Sequence, residues 1–326
     1  MNVCPVKPPR PSPLTEPKAL LRAFPPKDRY LIGVSGGRDS IALLHSLVDL
    51  GYKNLIVCHL DHQLRGRSSA ADARFVEKLA ASYDVDFAIK SVNVRALATK
   101  MSIETAAREA RYSFFAKVAK RQKCRTIFLA HHADDLVETF LINLFRGAGS
   151  TGLSGMREVT TRQVDDVDLT IVRPLLGVWR TDIDKYVRKY RLRFREDASN
   201  KNLAPLRNRV RRRVVPYLEK MLGRNIRQNI WRTATIMSEE ENFFETLLPE
   251  KLSALTALAV EPLRKMSLAV QRRMLHKWLR AADVADIGFD LVERVRALLD
   301  VTNHVAKTNL PRDRHVRRRA GQIFIE

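Results

Sequence analysis

The stretch that most constrains the fold is Asp28 to Leu50. Tyr30-Leu31-Ile32-Gly33-Val34 is a short apolar run of the kind that forms a buried strand, and from Ile41 to Leu50 apolar residues recur at helical spacing. Between them lies Ser35-Gly36-Gly37-Arg38-Asp39-Ser40. A strand that enters a helix through so tight and glycine-rich a turn gathers backbone N–H groups around one point. The positive end of the helix dipole faces the same point. Such a turn holds an anion, and a phosphate suits it best.

The same alternation continues along the chain. Strand-like runs at Asn54–Leu60, Asp86–Val94, Thr126–Ala130 and Thr170–Val172 are separated by helical patterns at Ser68–Tyr83, Ile103–Arg121 and Ala133–Phe145, with another at Arg180–Tyr190. This order predicts an α/β domain, a parallel sheet with helices on both faces and ligands at the carboxyl ends of its strands. Residues 157–169 are polar and read as an exposed loop. From about residue 224 the pattern turns helical, at Arg224–Leu247, Leu268–Ala282 and Phe289–Asp300. Two short strands, Val305–Leu310 and Gln322–Ile325, flank a basic turn. The expected organisation is an extended proline-rich lead-in over 1–27, a nucleotide-binding domain over 28–220 and a smaller, mainly helical domain over 221–326.

Charge narrows the choice of partner. The 326 residues include 58 Lys and Arg against 36 Asp and Glu, a net charge of +22. Between Val187 and Arg232 there are 15 basic and 3 acidic residues, more than half of the whole excess. A polyanion, nucleic acid first, fits that imbalance. An acidic membrane surface comes second; no apolar run reaches the roughly 20 residues of a membrane helix, so a spanning segment is excluded, and the expected partners include no membrane. Cys4, Cys58 and Cys124 are too far apart for a Cys-x-x-Cys pair and suit a reducing compartment, hence a cytoplasmic location.

Five constellations carry candidate chemistry. His59-Leu60-Asp61-His62, at the end of the second strand, can orient a nucleotide or Mg²⁺ or pass protons. His131, His132, Asp134 and Asp135 follow the fourth strand. Together the two clusters admit a zinc reading, although Mg²⁺, which takes carboxylate and phosphate oxygens, suits a nucleotide site better. Asp134, Asp135 and Glu138 share one face at the start of a helix. Three like charges so close call for a cation, a metal ion or a substrate ammonium, unless they only complement the helix dipole. Glu104, Arg108 and Arg111 share another face, with Arg108 suited to gripping a phosphate and Glu104 to holding its guanidinium. Arg207-Asn208-Arg209-Val210-Arg211-Arg212-Arg213 would present arginines on both flanks of a helix, as a phosphate-backbone grip does.

The order Ser-Gly-Gly-x-Asp-Ser at 35–40 resembles the PP-loop of ATP pyrophosphatases. His59-x-Asp61-His62-x-Leu64-Arg65, Glu104-x-x-Ala107-Arg108-x-x-Arg111-Tyr112 and Ala130-His131-His132-Ala133-Asp134-Asp135-x-x-Glu138-Thr139 follow it in series. Arg146-Gly147-x-Gly149, Arg173-Pro174-Leu175-Leu176, Glu196-Asp197-x-Ser199-Asn200 and Arg207-Asn208-x-x-Arg211 complete it. Taken together, the series resembles the tRNA(Ile)-lysidine synthases. The resemblance implies an adenine nucleotide alpha hydrolase-like fold and a ligase that adenylates the wobble cytidine of a CAU-anticodon tRNA(Ile) with ATP. The amine of free L-lysine would then displace AMP. It implies that Ser35, Gly36, Gly37, Arg38 and Ser40 hold the pyrophosphate portion and that Asp39 places Mg²⁺. It further implies that Arg108 steadies the phosphate, that one or two of Asp134, Asp135 and Glu138 grip the lysine ammonium and assist its deprotonation, with His131 as a further member, and that Arg65, Arg111, Arg146, Arg207 and Arg211 contact substrate or tRNA. A homodimer is compatible with these motifs. A tRNA thiolase is disfavoured, since no cysteine pair is present. A metal-dependent phosphohydrolase built on the His/Asp clusters and a non-catalytic tRNA-binding protein are the competing readings.

Overall fold

The computed structural model describes residues 14, 19–64, 67–99, 101–195, 206–249, 252, 255–300, 302 and 305–326, with the backbone alone for 19 and 67–70. Arg65, the Glu196–Asn200 motif and most of the proline-rich lead-in lie outside these residues. The chain divides into two compact units, Met1–Ile142 with Met156–Trp231, and Asn143–Gly155 with Arg232–Glu326.

In the first unit, β1 (Tyr30–Gly33), α1 (Arg38–Asp49), β2 (Leu55–Asp61), α2 (Arg67–Ser82) and β3 (Asp86–Ser91) come first. Then follow α3 (Ile103–Gln122), β4 (Thr126–Phe128), α4 (Ala133–Phe145), β5 (Val159–Val164), β6 (Val167–Val172) and α5 (Arg180–Lys189). The six strands form one sheet in the order β3-β2-β1-β4-β6-β5. All neighbours are parallel except β5, which runs antiparallel to β6. Every residue of β2 is buried, which explains its unbroken apolar run. On one face Ile32 and Val57 pack with Leu43, Leu44 and Leu47 of α1 and Ile183 of α5. On the other, Leu31, Ile56 and Cys58 pack with Phe114, Phe115 and Val118 of α3. The expected helices on both faces are therefore present. The strand order reverses between β1 and β4, so the loops leaving their carboxyl ends part there and leave a crevice.

One expectation is corrected. Residues 157–169 are not a loop but most of a hairpin, β5 paired with β6. Its two-residue turn, Asp165-Asp166, has φ of +46° and +61°, the left-handed pair that a tight hairpin needs and that Asp tolerates. β5 reads as polar because it is an edge strand whose residues alternate between exposed and half-buried. The partner strand β6, by contrast, buries Val167, Leu169, Ile171 and Val172.

The basic stretch forms α6 (Leu206–Arg209), a π-helical turn (Val210–Val214) and α7 (Val215–Leu222), followed by α8 (Ile226–Thr246). In the second unit, β7 (Ala257–Ala259), α9 (Val260–Arg264), α10 (Leu268–Ala281) and α11 (Phe289–Ala297) precede β8 (Lys307–Asn309), β9 (His315–Arg319) and β10 (Gln322–Ile325). These strands make an antiparallel sheet in the order β7-β10-β9-β8. The sheet is larger than the two strands read from sequence, because β9 is spelled His-Val-Arg-Arg-Arg and looks like a basic turn. Its Val316 is nonetheless fully buried, in a core with Leu275, Trp278 and Val295. Among the described residues, no helix is long and apolar enough to cross a membrane.

Candidate active site

The glycine-rich turn leaves β1 directly into α1. Gly36 has φ of +85°, a conformation that side chains other than glycine rarely adopt, and a Cβ there would also touch Val76 and Phe75 of α2. The turn is held by its own hydroxyls. Ser35 N–H donates to Ser40 Oγ at 3.2 Å, and Ser40 Oγ donates to the Gly37 carbonyl at 2.9 Å. The main-chain N–H of Arg195 donates to the Gly36 carbonyl at 3.0 Å, and the Arg195 side chain pairs with Asp72. Arg38 pairs with Asp184 of α5 and lies 4.8 Å from the centre of the Phe194 ring.

In front of this turn is a cavity of about 650 Å³, lined by residues from the ends of β1, β2 and β4. Ser35, Gly37, Arg38, Asp39 and Ser40 form one wall; His59, Asp61 and His62 form another. Apolar surface comes from Leu60, Phe115 and Leu129. Arg111, His131, Arg180 and Arg211 face the same space.

The carboxylates following β4 adjoin the turn through buried His132. Its Nε2 lies 3.8 Å from Asp39 Oδ2 and 3.6 Å from Asp135 Oδ2. Asp135 accepts the main-chain N–H of His132 at 3.0 Å. Burial works to raise the Asp135 carboxyl, but His132, Arg207, His131 and that N–H override it and hold it at about 2. Glu138 is buried and accepts from Arg207 Nε at 2.8 Å and from Arg211 Nε and Nη2 at 2.5 and 3.1 Å. Arg207 and Arg211 thus turn inward onto Glu138 and Asp135, whereas Arg209, Arg212 and Arg213 are exposed. Asp134 differs from its two neighbours. It accepts the first helical N–H of α5, at Arg180, at 3.0 Å and pairs with Arg227 at 2.9 Å, so both its oxygens are engaged in holding elements together.

The remaining candidates are placed as follows. Arg108 is exposed and sits over the Tyr112 ring at 5.2 Å, with no ion pair to Glu104 among the described residues. Arg146 is exposed and belongs to the second unit. Sequence reasoning overlooked Arg180, Arg195 and Arg227. Arg227 lies 93 residues from Asp134, and none of the three belongs to a motif that spacing could single out.

His62 and His131 line the cavity as neutral imidazoles. Burial, joined by the charge of Arg111, pushes His62 down to about 4. Burial pushes His131 down to about 3, with Asp135 opposing and Arg173, Arg111 and Arg207 assisting. As pH falls below the ordinary 6.5, the unfolded chain gains protons on these rings that the folded protein does not, so stability falls between pH 6.5 and about 4. Melting temperatures measured across that range should drop on the acid side, and the double variant His62→Gln/His131→Gln should flatten the slope. An unaltered slope would refute the assignment.

A family model described as a PP-loop domain matches residues 14–218, and one described as a TilS substrate binding domain matches residues 258–324. The chain is 38% identical over 314 residues to the tRNA(Ile)-lysidine synthase of Geobacter sulfurreducens, an alignment that covers 92% of this chain and 65% of that protein. It is 33% identical to the tRNA(Ile)-lysidine synthase of Thermosynechococcus vestitus, covering 90% and 85% respectively. The chain therefore spans just under two thirds of the Geobacter relative. Among solved structures, a U34-tRNA thiolase from Methanococcus maripaludis, with its [4Fe-4S] cluster, aligns with a TM-score of 0.52 at 18% identity. That alignment covers 65% of this chain and 72% of the other, a likeness of fold.

Proposed function

The chain belongs to the tRNA(Ile)-lysidine synthase family, and from that premise we propose that it converts the wobble cytidine of a CAU-anticodon tRNA(Ile) to lysidine, using ATP and free L-lysine in the cytoplasm. The observation that carries this reading is the short path from the glycine-rich turn through His132 to Asp135, which shares Arg207 and Arg211 with Glu138. It supports a reading in which a phosphate cradle and an ammonium trap work close together.

Two steps are required. The C2 carbonyl oxygen of cytidine attacks the α-phosphorus of ATP, the bond to the β-phosphate breaks, and pyrophosphate leaves. A neutral lysine amine then adds to C2, AMP leaves, and the amine gives up a proton. Ser35, Gly36, Gly37 and Ser40 hold the departing pyrophosphate, and Arg38 braces their turn against α5. Such a transfer depends on positioning and charge neutralisation, which suits a site rich in N–H donors and arginines. Asp135 and Glu138 receive the lysine ammonium and assist the loss of its proton, while Asp134 keeps α4 and α5 in place.

Asp39 fits a Mg²⁺ ion, because its Oδ1 is buried without a hydrogen-bond partner and belongs to a cavity-lining residue. When bound, Mg²⁺ would neutralise phosphate charge there. Among the described residues, no three His, Cys, Asp or Glu side chains converge well enough to hold a metal by themselves. That donor geometry favours a metal completed by phosphate oxygens over the phosphohydrolase reading.

The exposed Arg209, Arg212 and Arg213 supply the tRNA phosphate grip. Replacing Arg209, Arg212 and Arg213 with glutamine should weaken tRNA binding and lower the slope of log affinity against log salt by up to roughly three. Filter binding at several salt concentrations checks this, and an unchanged slope would place the RNA elsewhere. The activity itself is tested by mass spectrometry of the wobble nucleoside after an unmodified CAU transcript is incubated with ATP and lysine. Absence of lysidine would overturn the proposal.

A further inference from the structure

The helical run that carries the arginines continues past them. Arg207 and Arg211 turn inward, and Arg211 lines the cavity, but α7 extends the run by two further turns and leaves three apolar side chains in water. Tyr217 is 62% exposed, Met221 65% and Leu222 56%. Steps of four residues bring Arg209, Arg213, Tyr217 and Met221 into one exposed row, and Arg212 and Lys220 are exposed beside it. Between 206 and 224 the one acidic residue is Glu219, which pairs with Arg227 at 3.3 Å. The outer strip therefore mixes cations with a phenol ring and a thioether. A patch of apolar side chains held out in water marks a contact surface.

We propose that Tyr217, backed by Met221, is a stacking platform for an unpaired base of the anticodon loop, so that this helix binds single-stranded RNA by its bases as well as by its phosphates. This rests on the lysidine synthase reading above. A single strand offers a phosphate and a flat π face at every nucleotide, which is what cations beside an aromatic ring complement. A duplex shows its phosphates but keeps its base faces stacked inside, so it would leave Tyr217 unused. A lipid surface takes helices whose apolar and charged residues lie on opposite faces, whereas here they share one. A second copy meeting this strip about a two-fold axis would set arginines against arginines. Tyrosine has few rotatable bonds to immobilise when it stacks, and a neighbouring guanidinium can lie over the same π system. The position also fits. At a rise of about 1.5 Å per residue, Tyr217 lies roughly 9 Å along the helix from Arg211, the span of two or three stacked nucleotides at about 3.4 Å each.

The test measures binding rather than turnover, with a CAU anticodon stem-loop and a fully paired RNA duplex of equal length, at several salt concentrations. Tyr217→Ala should weaken stem-loop binding roughly 5- to 100-fold, the range for losing one base stack. The slope of log affinity against log salt should not move, because no phosphate contact is lost. Duplex affinity should not change, Tyr217→Trp should restore stem-loop binding, and the melting temperature should hold, since the ring is exposed. Unchanged stem-loop affinity in Tyr217→Ala would overturn the proposal. So would an equal loss on the duplex, or a lower salt slope, either of which would make Tyr217 a backbone contact. Loss of self-association by light scattering, or of flotation with phosphatidylserine vesicles, with stem-loop affinity intact, would assign the strip to a second copy or to lipid. Tyr217-dependent stem-loop binding by a protein that forms no lysidine would uphold this inference while sinking the ligase reading.

Discussion

Replacing Asp39 with alanine should lower adenylation by roughly 100- to 1,000-fold, the usual loss when one preorganised electrostatic group is removed from a charge-transfer step. The reasoning is local. Asp39 stands in the first turn of α1, beside the phosphate cradle, with one oxygen buried and unpartnered and the other within 4 Å of Arg180 and His132. Its removal takes away the oxygen that would hold the cation, while the cradle itself, held by Ser35 and Ser40, stays in place. tRNA affinity should remain within about threefold, because the exposed arginines of the 207–213 stretch are untouched. Pyrophosphate release measured beside tRNA binding separates the two effects. Normal release by Asp39→Ala would mean that the turn has been assigned the wrong ligand.

Glu138→Ala should be the more damaging change, and to stability as well as to activity. The carboxylate is buried and holds two guanidinium groups; taking it away leaves Asp135 as the one carboxylate that pairs with Arg207 and Arg211 among the described residues. Breaking a buried pair in this way typically costs about 3–5 kcal/mol, since the surviving charge remains desolvated. Lysidine formation should fall by roughly 1,000-fold, because the ammonium loses its principal counter-charge. The companion variant Glu138→Gln/Arg211→Gln separates the two effects. It removes one charge of each sign, so the melting temperature should recover much of the loss while activity should not. Recovery of both would show that Glu138 only holds the arginines; recovery of neither would point to a packing defect.

These two cases show where sequence and structure each decide. The glycine-rich turn is legible because a strand, two glycines and a helix start are consecutive residues, and local geometry follows from local chemistry. The parallel sheet is legible for a related reason, since strands buried on both faces, such as Leu55–Asp61, must be written as apolar runs. The hairpin over 159–172 is not legible as a whole. An edge strand faces water along much of its length, so β5 carries a polar spelling, and only its pairing with β6 makes it a strand.

The pairings within the site belong to tertiary structure alone. Asp134, Asp135 and Glu138 are equivalent in sequence, three acids on one helical face. The fold distinguishes them by what reaches them from elsewhere: the amino end of α5 and Arg227 for Asp134, Arg207 and Arg211 for Glu138. The arginine run likewise reads as a single basic surface until the helix bearing it is docked, when two members turn inward and three stay in water. Sequence thus determined the fold class, the glycine-rich turn and the kinds of charge gathered around it, because short-range pattern encodes burial and backbone conformation. Which charge neutralises which was decided only by the tertiary structure. Electrostatic pairing depends on distances across the fold, and no spacing along the chain records them.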